Sequence, residues 1–165
     1  MTTTHRTFVS YIDRTREYYA AQGYDRPYEW AHHDDSPFAP LAKPLAECRV
    51  GLVTTAAPLD TRVEPGSLRA EKQVWSSSVD PAPERLFTDH LSWDKETTHT
   101  DDVESFLPIG ALRSFEASGR IGGVAPRFHG VPTDYSQRRT VEVDAPEILR
   151  RCREDEVDVA LLVPL

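Results

Sequence analysis

The chain has 165 residues, of which 39% are hydrophobic and 28% charged, and its formal net charge is −8. This length and composition predict one globular domain with a charged surface. The acidic balance argues against nucleic-acid binding, which requires a basic face to neutralise phosphates. The sequence has neither an apolar run of the roughly 18 residues that span a bilayer nor the apolar stretch of a signal peptide. A cytoplasmic location without a membrane partner is therefore expected.

The first 45 residues predict a helix and an extended arm. Residues 5–22 carry apolar side chains at helical spacing, and Gly23 is a suitable stop. A proline-punctuated stretch with four aromatic residues follows, which is typical of an arm that packs against a domain. We therefore divide the chain into residues 1–45 and an α/β domain of residues 46–165, which together form a single globular unit.

Three apolar segments of the domain predict buried strands. RVGLVTT at 49–55 is rich in β-branched residues, RIGGVA covers 120–125, and VDVALLVPL covers 157–165. The last is a nearly continuous apolar run, which is typical of a parallel strand covered on both faces. A fourth, short strand is predicted at 73–77 within the otherwise irregular region 56–107.

Two helices are predicted between these strands. One covers residues 108–118, and the other runs from Asp144 to about Glu154, with Glu147 completing a capping box. The intervening segment 126–143 is predicted to be a long loop. The order strand, helix, strand, helix, strand implies a parallel sheet with right-handed crossovers, which is a Rossmann-like open α/β fold.

The carboxyl ends of the predicted strands suggest where a ligand binds. Such ends meet at one edge of an open α/β sheet, where ligands are commonly bound. Thr54 and Thr55 are pocket candidates there. Arg127, just past a predicted strand end, could bind a substrate carboxylate through two hydrogen bonds, and His129 could transfer a proton. The alternative is that Arg127 and His129 lie on the surface of a loop and form only internal hydrogen bonds, which explains their presence equally well.

A dense cluster of polar residues, HLSWDKETTHTDD, covers residues 90–102. Its members His90, Asp94 and His99 are candidates for lining a pocket as general acids and bases. Imidazole and carboxylate groups also suit divalent ions, although this spacing matches no strong metal motif, so no metal is expected in the leading interpretation. A polar loop whose side chains bind the local backbone is the remaining alternative.

Most of residues 30–165 resemble one known family in collinear order. The matching segments are PFAPLAKPLAECRVGLVTTAA, FTDHLSWDKETTHTDDVESFLPIGALRSFEASGRIGGVAPRFHG and DAPEILRRCREDEVDVALLVPL. They are similar to the glycine/sarcosine/betaine reductase selenoprotein B family, which includes D-proline reductase selenoprotein-like members. The resemblance implies reductive cleavage of a carbon–nitrogen bond in an amino acid or amine-like substrate. It also implies a dithiol or thioredoxin-type reductant, no other bound cofactor, and partner reductase subunits.

The same resemblance implies a selenocysteine or cysteine nucleophile shortly after a strand like VDVALLVPL. We therefore expect the nucleophile after Leu165, with a UGA selenocysteine codon read as a stop, and we expect this chain alone to be inactive. Cys48 precedes a strand and Cys152 lies in a helix, so both are interpreted as core residues. The alternatives are a non-catalytic binding or partner subunit, and a metal-dependent enzyme that uses His90, Asp94 and His99.

Overall fold

The structure is a computed structural model, and the residues that it describes are 11–24, 26, 29, 31–36, 39–58, 73–88, 97–133 and 136–165. The chain divides into two compact units, Met1–Phe38 and Ala39–Leu165. In the first unit, helix α1 spans Tyr11–Ala21, which confirms the predicted helix over those residues. Gly23 follows with a φ of 83°, the left-handed conformation that commonly terminates helices.

The second unit is built on a mixed, mostly parallel sheet with helices, so its architecture is α/β. The strands are β1 at Arg49–Thr54, β2 at Trp75–Ser78, β3 at Gly123–Val124, β4 at Arg127–Gly130 and β5 at Val159–Val163. β5 lies parallel to β1 along nearly its whole length. β3 and β4 are also parallel to β1 and occupy its other edge in succession. β2 pairs antiparallel with the outer edge of β4.

The prediction of a long loop at 126–143 is wrong. β4 begins at Arg127 and continues the direction of β3, so the two behave as one strand broken at Pro126. Proline has no backbone N–H, and it therefore interrupts the pairing and conceals the continuation of the strand. The carboxyl end of this strand consequently lies at Gly130, and Arg127 lies at the start of β4 instead of past a strand end.

Helical structure also begins earlier than predicted. Helix α2 spans Ile109–Ala117, as expected, whereas the helix before β5 starts with α3 at Gln137–Arg139, passes through a π-helical turn at Thr140–Asp144 and becomes α4 at Ala145–Glu154. The predicted capping box is not formed, because Asp144 has helical φ and ψ angles and its side chain caps nothing. Ser136 caps instead, since its hydroxyl accepts a 3.2 Å hydrogen bond from the Arg139 N–H. No helix among the described residues combines the length and apolarity required to cross a membrane.

The two faces of the sheet differ in chemistry. One face carries Leu52 and Phe128, which belong to a core that includes Ile109 and Leu112 of α2. The Trp75 ring packs edge-on against Phe128 with 5.4 Å between the ring centroids. The other face bears polar side chains of β2 and β4 beneath α4. The sheet therefore has an apolar core on one side and a charged contact on the other.

The prediction that β5 is covered on both faces is wrong, because side chains on both of its faces are exposed to solvent. Leu161 and Leu162, which point to opposite faces, are 41% and 72% exposed. Among the described residues β5 pairs only with β1, so it is the outer strand on its side of the sheet. An apolar strand sequence alone does not distinguish such an outer strand from a central one.

Candidate functional site

Thr54 and Thr55 lie at the carboxyl end of β1, as predicted. Thr54 is buried, and its hydroxyl oxygen accepts a 3.2 Å hydrogen bond from the Ala56 N–H. The Thr55 hydroxyl oxygen accepts a 2.8 Å hydrogen bond from the Leu165 N–H and donates to the Leu165 carbonyl at 3.3 Å. The Thr55 side chain thus holds the ends of β1 and β5 together, whereas the Thr54 hydroxyl binds the backbone that follows β1.

Arg127 and His129 converge on a carboxylate that the sequence interpretation missed, that of Asp155 just after α4. The Arg127 Nε donates to both carboxylate oxygens at 3.0 and 3.1 Å, and its Nη2 donates to one of them at 2.9 Å. The His129 Nε2 lies 3.6 Å from the second oxygen. Asp155 is only 8% exposed, so these are contacts within the protein interior.

The chain of contacts continues from His129 to α4. The His129 Nδ1 lies 2.8 Å from the Ser76 hydroxyl oxygen, which also accepts a 2.6 Å hydrogen bond from the Arg151 Nη1. Because the Asp155 carboxylate faces Nε2, the favoured tautomer carries its proton on Nε2 and accepts at Nδ1 from the Ser76 hydroxyl. We call Ser76, Arg127, His129, Arg151 and Asp155 the Asp155 network.

Burial and neighbouring charges set the protonation of this network. Burial lowers the pKa of His129, and the cations Arg127 and Arg151 lower it further, whereas the Asp155 carboxylate acts in the opposite direction. His129 is therefore neutral at pH 7. The hydrogen bond to Asp155 raises the pKa of Arg127, so its guanidinium keeps its charge.

Ser76, His129 and Asp155 supply the three residue types of a Ser–His–Asp triad. The contacts do not match its chemistry. The serine hydroxyl receives a hydrogen bond from Arg151, and the imidazole is only 1% exposed, so a substrate has no direct access to the base. The Asp155 network is therefore suited to fastening α4 to the sheet. Nothing in the local sequence around Asp155 points to this role, because its partners Arg127 and His129 lie far from it in the sequence, in β4.

The predicted polar cluster is only partly described. His99 is exposed in an irregular segment, with its Nδ1 3.7 Å from the Asp101 carboxylate. His90 and Asp94 lie outside the described residues, so their geometry relative to His99 is not part of the structure. Within the described ranges, no group of three or more histidine, cysteine or acidic side chains is arranged to hold a metal ion.

A second carboxylate, that of Asp144, is buried without a hydrogen bond. Its residue is 1% exposed, and neither oxygen has a hydrogen-bond partner among the described residues. The Arg139 Nε lies 3.7 Å away, which is an ion pair beyond hydrogen-bond distance. The sequence predicted a capping box that begins at this residue, because the preceding π-helical turn was not recognised. A buried carboxylate without hydrogen bonds is uncommon in folded proteins.

An open cleft of about 490 Å³ lies at the opposite, amino edge of the sheet. Its lining residues are Lys43, Glu47, Arg49, Gly122, Arg153, Glu156, Val157 and Asp158. Two 2.8 Å ion pairs, Lys43 with Asp158 and Arg49 with Glu156, cross this surface. The hydrogen bond from Lys43 lowers the pKa of Asp158. The charges in these two pairs already neutralise one another, which disfavours the cleft as a site for a charged ligand.

Comparison with protein-family models, curated proteins and solved structures finds no match to this chain. The resemblance to the selenoprotein B family therefore remains a prediction from the sequence.

Proposed function

We propose that this chain is the α/β portion of a selenoprotein B-type reductase, which cleaves a carbon–nitrogen bond in glycine, sarcosine, betaine, D-proline or a related amine. The collinear resemblance over residues 30–165 carries this proposal. Electrons would come from a dithiol or thioredoxin-type reductant. Such chemistry suits a reducing cytoplasmic compartment, where thiols and selenols stay reduced.

The strand order supports a substrate site at the carboxyl edge. The chain passes from β1 to β3 and β4 on one side, then returns through α4 to β5 on the other side. In Rossmann-like open sheets, ligands bind where the strand order reverses in this way. Here that position lies between the ends of β1 and β5, beside Thr54 and Thr55.

The two cysteines of the chain are poor candidates for the nucleophile. Cys48 directly precedes the amino end of β1 and is fully buried. Its thiol sulfur lies 3.4 Å from the Pro44 carbonyl oxygen. Cys152 is buried in α4, and burial raises the pKa of its thiol, which leaves little thiolate at neutral pH. The proposed nucleophile is thus the selenocysteine or cysteine that the resemblance places after β5.

Two measurements test the proposal. The transcript should continue in frame after the Leu165 codon through a UGA triplet, and a chain translated through that codon should release amine or reduced product from one of the four substrates with a dithiol. Replacing the encoded nucleophile by serine should abolish that turnover. A UAA or UAG triplet after Leu165, or a continued chain with no turnover, would overturn the proposal.

The buried state of both cysteines favours a second candidate, a binding subunit that presents substrate to a catalytic partner chain. This candidate predicts that the chain binds an amine and co-purifies with reductase subunits, without its own dithiol-dependent turnover. A metal-dependent enzyme using His90, Asp94 and His99 is the third possibility, and metal analysis of the purified chain tests it separately.

A further inference from the structure

The Thr55 hydroxyl binds both backbone groups of a single residue, Leu165. It accepts a 2.8 Å hydrogen bond from the Leu165 N–H and donates to the Leu165 carbonyl at 3.3 Å. Threonine hydroxyls commonly bond to backbone groups nearby in the sequence, whereas these two residues are 110 positions apart. The contact therefore joins two distant segments of the chain at one point of the carboxyl edge.

This contact extends the alignment of β5 with β1 beyond the end of the backbone pairing. The last backbone pair of the two strands is Thr54 with Val163. Pro164 follows and has no N–H to donate. The Thr55 hydroxyl then takes the place of the backbone N–H and C=O that a longer β1 would offer, so Leu165 stays aligned with the sheet although β5 has ended.

The Leu165 side chain sets the direction of a residue that follows it. This side chain is partly buried against the core, on the face of the sheet that carries Leu52 and Phe128. Successive side chains of an extended segment point to opposite faces. A following residue on the same extended path therefore directs its side chain away from the apolar core. Thr55 and Leu165 are both partly exposed, so this end of the sheet is accessible from solvent.

We propose that Thr55 is a positioning residue for the selenocysteine or cysteine nucleophile after Leu165, an inference that rests on the reductase proposal and adds a residue to its site. One peptide bond separates the Leu165 carbonyl from that nucleophile. The Thr55 hydroxyl holds the plane of this peptide through the carbonyl and holds Leu165 itself through the N–H. Reaction rates depend strongly on such positioning, since a displacement of about 1 Å can lower the rate about 100-fold.

Hydrogen exchange in the 165-residue chain tests the contact itself. Thr55→Val keeps the branched shape of the side chain and removes the hydroxyl, whereas Thr55→Ser keeps the hydroxyl. Thr140→Val is the matched control, because the Thr140 hydroxyl also binds a backbone carbonyl, that of Ser136, but on an exposed helical surface. The Leu165 amide should exchange at least about fivefold faster in Thr55→Val, as expected for the loss of one hydrogen bond. Its exchange should stay close to that of the unaltered chain in Thr55→Ser and Thr140→Val, and equal exchange in all four chains would overturn the inference.

Turnover by the continued chain, translated through the codon after Leu165, tests the positioning role. With whichever of the four substrates is reduced, Thr55→Val should lower kcat about 10–100-fold with little change in KM, because a displaced nucleophile slows the chemical step and leaves substrate binding intact. Thr55→Ser should restore most of kcat, and Thr140→Val should leave kcat and KM unchanged. A raised KM with unchanged kcat in Thr55→Val would assign Thr55 to substrate binding and overturn the positioning role.

The two experiments separate this inference from the reductase proposal. Turnover that is the same in Thr55→Val and the unaltered continued chain would overturn the inference and leave the reductase proposal standing. No turnover by any continued chain would overturn the reductase proposal, and the inference would fall with it, leaving Thr55 as a structural contact between β1 and β5. Faster exchange of the Leu165 amide together with a selective loss of kcat would support both.

Discussion

Replacing Asp155 by asparagine should show how much the Asp155 network contributes to stability. Asp155 is 8% exposed and holds the Arg127 guanidinium through three hydrogen bonds of 2.9 to 3.1 Å. The substitution keeps the shape of the side chain but removes its charge and places an amide N–H₂ group against donors. Glu156→Gln is a matched control, because Glu156 is the adjacent residue and its 2.8 Å pair with Arg49 is largely exposed.

The expected size of the effect follows from burial. Breaking a fully buried ion pair typically costs 3–5 kcal/mol, whereas an exposed pair contributes about 0–1 kcal/mol. The Arg127 side chain is 38% exposed and can turn partly to water, so the cost for Asp155→Asn should lie near 2 kcal/mol. For a chain of this length that corresponds to a melting temperature lower by about 4–8 °C. Glu156→Gln should change stability by less than about 0.5 kcal/mol.

Urea denaturation followed by circular dichroism measures both variants, and an unchanged m-value would show that only stability differs. The same substitution should also lower the pKa of His129 further, because the carboxylate that opposes the effect of Arg127 and Arg151 is lost. Imidazole proton shifts report that change. Equal destabilisation by Asp155→Asn and Glu156→Gln, or a higher His129 pKa in Asp155→Asn, would refute this account of the network.

Three further predictions concern neighbouring positions. The pKa of His129 is lower in the folded chain than its value of about 6.5 in the unfolded chain. The free energy of unfolding is therefore unaffected by this histidine above about pH 6.5. Below that pH it falls by up to about 1.4 kcal/mol per pH unit. Denaturation between pH 7.5 and 5.0 should therefore show a steeper loss for the unaltered chain than for His129→Gln, and parallel curves would contradict this. Gly130→Ala should lower the free energy of unfolding by about 1–3 kcal/mol, because a Cβ there overlaps the Trp75 indole. A Gly130→Ala chain with unchanged stability and unchanged tryptophan fluorescence would show that the indole does not pack against Gly130. Leu162→Lys should leave the melting temperature within about 1 °C and reduce self-association in sedimentation experiments, because that side chain is exposed on an outer strand.

The sequence predicted those elements that local patterns define. β1 and α2 were found because a run of β-branched residues and a helical spacing of apolar residues are properties of neighbouring residues. β4 was missed because Pro126 interrupts the pattern and because His129 and Arg127 are polar residues on a covered face. Their pairing depends on Asp155, which approaches only when the sheet and α4 have come together. The burial of Asp144 was not predicted for a related reason, since a π-helical turn has no recognisable sequence pattern.

The helix before β5 is held very differently at its two ends. Near its C-terminus, Asp155 and Arg151 bind side chains of β4 and β2. Near its N-terminus, the helix contains the π-helical turn Thr140–Asp144, and the Asp144 carboxylate has no hydrogen bond among the described residues. Because segments with irregular helical geometry open more easily than well-anchored ones, this asymmetry predicts faster amide hydrogen exchange at Thr140–Asp144 than at the last turn of α4. Equal protection of the two segments would contradict this account of the helix.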